Sequence, residues 1–445
     1  MKTDEKATQG AAAPAGRQVV VSSPGDRDEV VEGLMLLGRL LLASGDAVSD
    51  INLKLRSIAN VWGAPEAQFI VMPNLMMASF DPDRPAHIMS RDLATDQLRI
   101  DQVIKVMQLA KVAEKGNVGP GEMVRRLDEV ERSKRKRPVL PEVVGNVIMT
   151  FGFALLFRPD EASFLLYLVL GTLIGLMMAF SRKLAGVSTV MPVAVSFVAS
   201  IVAFSVTGDR YDSAPIEALI PALVVLLPGA LLTMSAVDLA SGEVVSGSSR
   251  FLEGMLQLSL LAFGIFAAAS LMGVQASATE AHGSGFGAWA PWVGVPVFVI
   301  GISLHEAAPR RMVPWLLLVL YAAYGAQVAG DAMFGPILSG FVATLVVVPL
   351  VQYLERFDSA PPAFALFLPA FLMLVPGSLG LLGVTELASI QPTNGGMGGI
   401  VSTLSAIISI ALGLLVGTKV MRMLRPARYA GRRLQQTLRL PSGRS

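Results

Sequence analysis

Hydrophobic and polar positions follow two different rhythms along this chain. Between residues 29 and 137 the apolar residues come in short sets broken by charge. Val30, Val31, Leu34, Leu37, Leu40 and Leu41 recur on one helical face. That stripe stops at Gly45, and Asp46 is placed to cap a second helix running from Ala47 to Trp62. Gly63-Ala64-Pro65 interrupts it. Phe69 to Met72, Leu75 to Phe80 and Ala86 to Ser90 are short apolar runs separated by Pro73-Asn74 and Asp81-Pro82-Asp83, the pattern of a small sheet. Helices near Asp101–Lys115 and Glu122–Arg132 complete the expectation of a soluble α+β domain. Residues 1–28, rich in Ala, Gly, Pro and charge, read as a disordered tail without the apolar stretch of a cleaved leader.

After Lys134-Arg135-Lys136-Arg137 and Pro138 the rhythm changes to long apolar blocks. Ten spans are predicted at about 142–157, 163–180, 187–206, 217–236, 251–273, 291–305, 312–329, 334–353, 363–383 and 398–418. Composition agrees: of 445 residues 53% are hydrophobic and only 16% charged. Lys and Arg gather in alternate short loops. With 134–137 taken as cytoplasmic, that side also holds Arg182, Lys183, Arg250, Arg310, Arg311, Arg356, Lys419, Arg422 and Arg425, against Arg158 and Arg210 opposite. Both termini are then expected to be cytoplasmic.

One apolar run returns 148 positions later. Ala222 to Ala230, containing Leu227-Pro228-Gly229, aligns with Ala370 to Ser378, containing Val375-Pro376-Gly377. Pro221 aligns with Pro369, Asp238 with Glu386, Leu239-Ala240-Ser241 with Leu387-Ala388-Ser389, and Gly247 with Gly395. The offset maps five spans onto five. Because five is odd, the second unit enters the membrane from the other side, which makes the halves inverted repeats and alternating access the natural mechanism. The expected fold is thus mostly α: a ten-helix integral membrane protein built of two inverted five-helix repeats, preceded by a small α+β cytoplasmic domain. The boundaries expected are 29–137 for that domain, 138–273 and 291–421 for the repeats, 274–290 for an extracytoplasmic linker and 422–445 for a basic tail.

The paired prolines are the first candidate chemistry. Pro228 has no N–H and frees the carbonyl of Val224; Pro376 does the same for Leu372. Gly229 and Gly377 allow close backbone approach beside each break. The same pair could simply kink two helices. Asp238 and Glu386 could pair with a substrate ammonium or carry a proton, or end their helices in solvent. Each acid leads into a polar, glycine-rich segment, with Gly242 and Arg250 in the first half and Asn394 in the second. Free N–H groups there suit a carboxylate, and Arg250 could add a bidentate contact or merely obey the charge rule. His305-Glu306 could relay protons but sits at a span end. No cysteine is present, and His87, His282 and His305 lack ligand spacing, so thiolate and histidine metal sites are not expected. Nothing points to nucleic acid, to a cofactor or to an ATP-binding loop.

The residues resemble the threonine/serine exporter family. The resemblance rests on Leu42-Ala43-Ser44-Gly45 and Ser49-Asp50, on Val225-Leu226-Leu227-Pro228-Gly229, Asp238-Leu239, Gly242, Ser246-Gly247 and Ser249-Arg250-Phe251-Leu252-Glu253, and on Leu374-Val375-Pro376-Gly377. It implies efflux of a small hydroxy amino acid across a plasma (inner) membrane, driven by the proton motive force, and the family's soluble domain is likened to hydrolases. Residues 29–137 here hold no nucleophile elbow, no cysteine and only His87, so a structural or regulatory role is expected of them. Partners would be the amino acid, protons and lipid, with a homo-oligomer left open. Export of a dicarboxylate is the alternative, as is a membrane-anchored enzyme or regulatory protein acting through the N-terminal domain.

Overall fold

The computed structural model describes residues 24–90, 98–133, 139–157, 163–181, 190–207, 215–273, 286–357, 359–374, 405 and 408–419. Arg158, Arg182, Lys183 and Arg210, used above for orientation, lie outside them.

The first helix, α1 (Pro24–Ala43), buries Val30, Leu34, Leu37, Leu40 and Leu41, as its periodicity requires. It ends where Gly45 takes φ 82, a left-handed conformation that costs a glycine little. The second helix, α2 (Val48–Val61), buries Ile51, Leu55 and Ile58 on one side. Strands β1 (Gln68–Met72), β2 (Leu75–Ser79) and β3 (His87–Ser90) form an antiparallel sheet in that order. Pro73-Asn74 makes the first turn, with Met72 opposite Leu75. Alternate residues Phe69, Val71, Met76 and Ala78 face the helices. Helices α3 (Ile100–Glu114) and α4 (Pro120–Arg132) close this core, and the buried Trp62 donates from Nε1 to the Val118 carbonyl at 3.0 Å.

The apolar helices follow in chain order: α5 (Val139–Leu156), α6 (Phe164–Ser181), α7 (Met191–Thr207), α8 (Pro215–Leu223), α9 (Gly229–Ala240), α10 (Val244–Met272), α11 (Ala290–His305), α12 (Val313–Phe334), α13 (Pro336–Leu354), α14 (Ala363–Met373) and α15 (Ile408–Lys419). Five of these, among the described residues, are long and apolar enough to cross a membrane, or six if the bent pair that ends in α9 is one broken span. The spans read at 187–206, 291–305 and 398–418 correspond to shorter apolar helices, and most of the second Pro-Gly segment is not described.

Helices α5 and α11 run antiparallel in close contact. Gly145 meets the His305 backbone and the Gly301 carbonyl, Gly152 meets Phe298, Gly301 meets Met149, and Gly294 meets the Gly152 carbonyl. A Cβ at any of the four glycines would overlap the opposing helix. The contacts are reciprocal: Gly145 and Gly152 on one helix stand as Gly294 and Gly301 stand on the other. A second correspondence lies further out. Gly264 of α10 packs on Ser196 and the Val193 carbonyl of α7, and Gly413 of α15 packs in the same way on Thr344 and the Phe341 carbonyl of α13. Both sets follow the sequence offset to within one residue.

Small residues are what let two helices approach this closely where lipid supplies no hydrophobic drive between them. Gly152→Ala is therefore expected to lower stability in detergent by ~1–3 kcal/mol through overpacking. Gly325→Ala, where nothing lies within 4 Å, should not destabilise. Equal thermal shifts in the two variants would mean that α5 and α11 do not meet here.

Candidate functional site

The site begins at the break between α8 and α9. Helix α8 tightens into a 3-10 turn over Val224–Leu226, Leu227 is extended (φ −71, ψ 128), and α9 starts at Gly229 after a bend of 56°. Pro228 and Gly229 are both buried. Proline cannot donate, so the break must satisfy its carbonyls otherwise. The Val224 carbonyl, expected to be free, accepts from Leu227 N at 3.2 Å because the turn has tightened. The Leu226 carbonyl accepts from Gln257 Nε2 of α10 at 2.6 Å. Pro228 and Gly229 then start α9 regularly, their carbonyls accepting from Leu232 N and Thr233 Oγ1.

Helix α9 ends in a tight turn at Ser241-Gly242-Glu243, with Gly242 exposed at φ 89. The Glu243 N–H closes the turn on the Asp238 carbonyl at 2.9 Å. The absence of a side chain at Gly247 lets α10 close onto Leu239 and the Ser235 carbonyl. This hairpin brings Asp238 and Arg250 together. Their side chains are 3.1 Å apart and almost wholly buried, at 0% and 7% exposure. Arg250 therefore lies inside the fold on α10, not in a loop.

The pair takes one further bond on each side from the other end of the chain, while Asp238 Oδ2 and Arg250 Nη1 have no hydrogen bond among the described residues. Asp238 Oδ1 accepts from the Val48 N–H at 3.1 Å, and Arg250 Nη2 donates to the Asp46 carbonyl at 2.8 Å. Helix α2 has Ala47 as its N-terminal boundary residue and no side-chain cap of its own. The capping role expected of Asp46 falls to Asp238, whose negative charge at a helix start is favourable in both hydrogen bonding and dipole terms. The Asp46 carboxylate instead accepts from Ala47 N at 3.0 Å and pairs with Lys54. Burial pulls the Lys54 ammonium down, but the Asp46 charge and hydrogen bond outweigh it and hold the group above its ordinary value. Ala47, Ile100 and Ile104 join the apolar core of the helix bundle, and Lys111 of α3 donates to the Glu355 carbonyl after α13 at 2.8 Å.

Of the residues singled out in the sequence, the structure unites Pro228 and Gly229 at the break, and Asp238 with Arg250 at the far end of α9. Pro376, Gly377, Glu386 and Asn394 lie outside the described residues. His305 is buried, its Nδ1 3.3 Å from the Glu142 carbonyl of α5. Three polar residues escaped notice. Gln257 holds the break, and a lone amide within an apolar span was its signal. Asn146 and Thr150, one turn apart on α5, are fully buried. The Asn146 amide donates to the Gly171 carbonyl at 2.7 Å, while its Oδ1 and Thr150 Oγ1 have no partner among the described residues. Thr233 and Thr344, by contrast, bond back one turn along their helices.

A family model described as "Putative threonine/serine exporter" matches residues 32–272. That stretch contains both sides of the contact, Asp46–Val48 and Asp238–Arg250. Relatives include pheromone-regulated membrane protein 10 of Zygosaccharomyces rouxii, 24% identical over 79% of this chain and 38% of that protein. The proteins of the same name from Candida glabrata and Candida albicans are 23% and 24% identical, over 58% and 71% of this chain and 34% and 29% of theirs. The chain thus spans between 29% and 38% of the length of these relatives. No solved structure matches it.

Gln257→Leu keeps the volume but leaves the Leu226 carbonyl unsatisfied. It is expected to cost ~1–3 kcal/mol, the penalty for an orphaned buried acceptor. Ser259→Ala, which removes only a bond back along the same helix, should be close to neutral in the same melting assay.

Proposed function

The chain belongs to the threonine/serine exporter family, and on that premise we propose that it is a secondary transporter exporting threonine or serine, driven by the proton motive force through alternating access. The observation that carries the reading is a broken, proline-started helix whose far end bears a buried acid–base pair. Interrupted helices of this kind serve secondary transporters as solute sites, and buried ionisable groups within apolar helices mark solute and proton pathways.

In this reading the solute site spans the Pro228-Gly229 break, the Gly242 turn, Asp238 and Arg250, with Pro376, Gly377, Glu386 and Asn394 contributing from the second half. Asp238 and Glu386 carry the coupling proton or meet the ammonium, and Arg250 meets the carboxylate. The antiparallel α5–α11 crossing and the matched α7–α10 and α13–α15 contacts support two inverted five-helix repeats, which would exchange conformations to open the site on alternate sides. The N-terminal unit and both chain ends then lie in the cytoplasm, and the membrane is the plasma (inner) membrane.

Asp238→Asn preserves an acceptor for Val48 and removes the charge. Counterflow of L-threonine in proteoliposomes is expected to fall roughly 10- to 100-fold, the worth of a hydrogen bond to a charged group, with the thermal midpoint tracking a folded protein. Undiminished transport in that variant would take Asp238 out of the mechanism. Competition by succinate in place of threonine would redirect the reading to a dicarboxylate.

A further inference from the structure

We propose that the α1–α2 turn of the N-terminal unit is a built-in competitor of the transported solute, docking at the Asp238–Arg250 pair and excluding the solute while it is there. The inference rests on the transport reading above and gives the N-terminal unit a function of its own. The turn offers the pair two things. The Val48 N–H is a donor for the Asp238 carboxylate at 3.1 Å, and the Asp46 carbonyl is an acceptor for the Arg250 guanidinium at 2.8 Å. A zwitterionic amino acid offers the same two complements, an ammonium donor and a carboxylate acceptor. Turn and solute therefore answer the same valences of the same two side chains.

The turn is shaped for this task. Gly45 at φ 82 reverses the chain after α1, and Ala47 in an extended conformation (φ −63, ψ 137) presents the Asp46 carbonyl and the Val48 N–H on one side. Ala47 itself is 4% exposed and lies in the apolar core of the bundle, so the docked turn keeps water from the charges. The Asp46 side chain, expected to cap α2, accepts from Ala47 N and pairs with Lys54 instead. Without it, the start of α2 takes its carboxylate from Asp238. A separate contact joins the unit to the bundle away from the turn: Lys111 donates to the Glu355 carbonyl. Solute and turn then compete by mass action, and the apparent affinity for solute falls by the fraction of protein in which the turn is docked.

Val48→Pro tests this directly. It deletes the one N–H that Asp238 accepts, at the first position of a helix, where proline is favoured. Ala47 already has the extended conformation that a residue before proline needs. The apparent KM for L-threonine on the side of the N-terminal unit is expected to fall about tenfold. An unchanged or raised KM overturns the proposal. An independent readout uses the lack of native cysteine, which makes Ala47→Cys the sole thiol. Its labelling by a membrane-impermeant maleimide should be slow and should accelerate several-fold as L-threonine is added. Labelling that ignores L-threonine, in a preparation that performs threonine counterflow, overturns the competitor and leaves the transporter standing. No counterflow of threonine or serine by the parent chain removes the transport reading and this one with it.

Discussion

A carboxylate and a guanidinium shut away from water each lose several kcal/mol of solvation, and close pairing with every remaining valence filled is what offsets the loss. Asp238 and Arg250 are shut away in this way 3.1 Å apart, with no hydrogen bond on Asp238 Oδ2 or Arg250 Nη1 among the described residues. Part of the complement they need comes from backbone at the other end of the chain. The placement of the N-terminal unit depends on this requirement. So does the start of α2, whose open N–H group needs an acceptor that its own sequence does not provide. The Asp238 carboxylate and the start of α2 thus each supply part of what the other lacks.

The break at Pro228 obeys the same rule for neutral groups. In hydrocarbon an unsatisfied carbonyl is costly wherever it occurs, so an interrupted helix survives only if its neighbours repair it. Here a tightened turn absorbs one carbonyl and Gln257 another. Helix α9 runs from the break at one end to Asp238, paired with Arg250, at the other. The short helix thereby links backbone geometry at Pro228 to charge pairing at its far end. It also links both to the α1–α2 turn, since that turn is bonded to the same carboxylate.

Family membership and structure meet in the same residues. The matched stretch, residues 32–272, holds the turn, the break and the acid–base pair but stops before α11. The second half is tied to the first through the α5–α11 crossing, where four glycines put two backbones in contact. An added carbon at any of these glycines would meet the opposing backbone, so the two helices hold a tightly packed seam.

Much of this was legible in the chain itself. A helical stripe marked α1, turn residues bounding short apolar runs marked the three strands, and the long apolar blocks marked the helices that follow, because each is set by residues within a few turns of one another. Pro228 announced a break because the missing N–H is a property of that residue alone. What the sequence could not decide was which partner each polar group would take. Asp46 stood at the right spacing to cap α2, yet Asp238 does so from 190 residues away. Gln257 looked like an isolated amide, and its role exists only once α10 lies against the break. Arg250 counted as a loop charge until α9 and α10 closed on each other. Local geometry follows from spacing along the chain, whereas the pairing of buried valences follows from which elements pack together, and only the tertiary structure settles that.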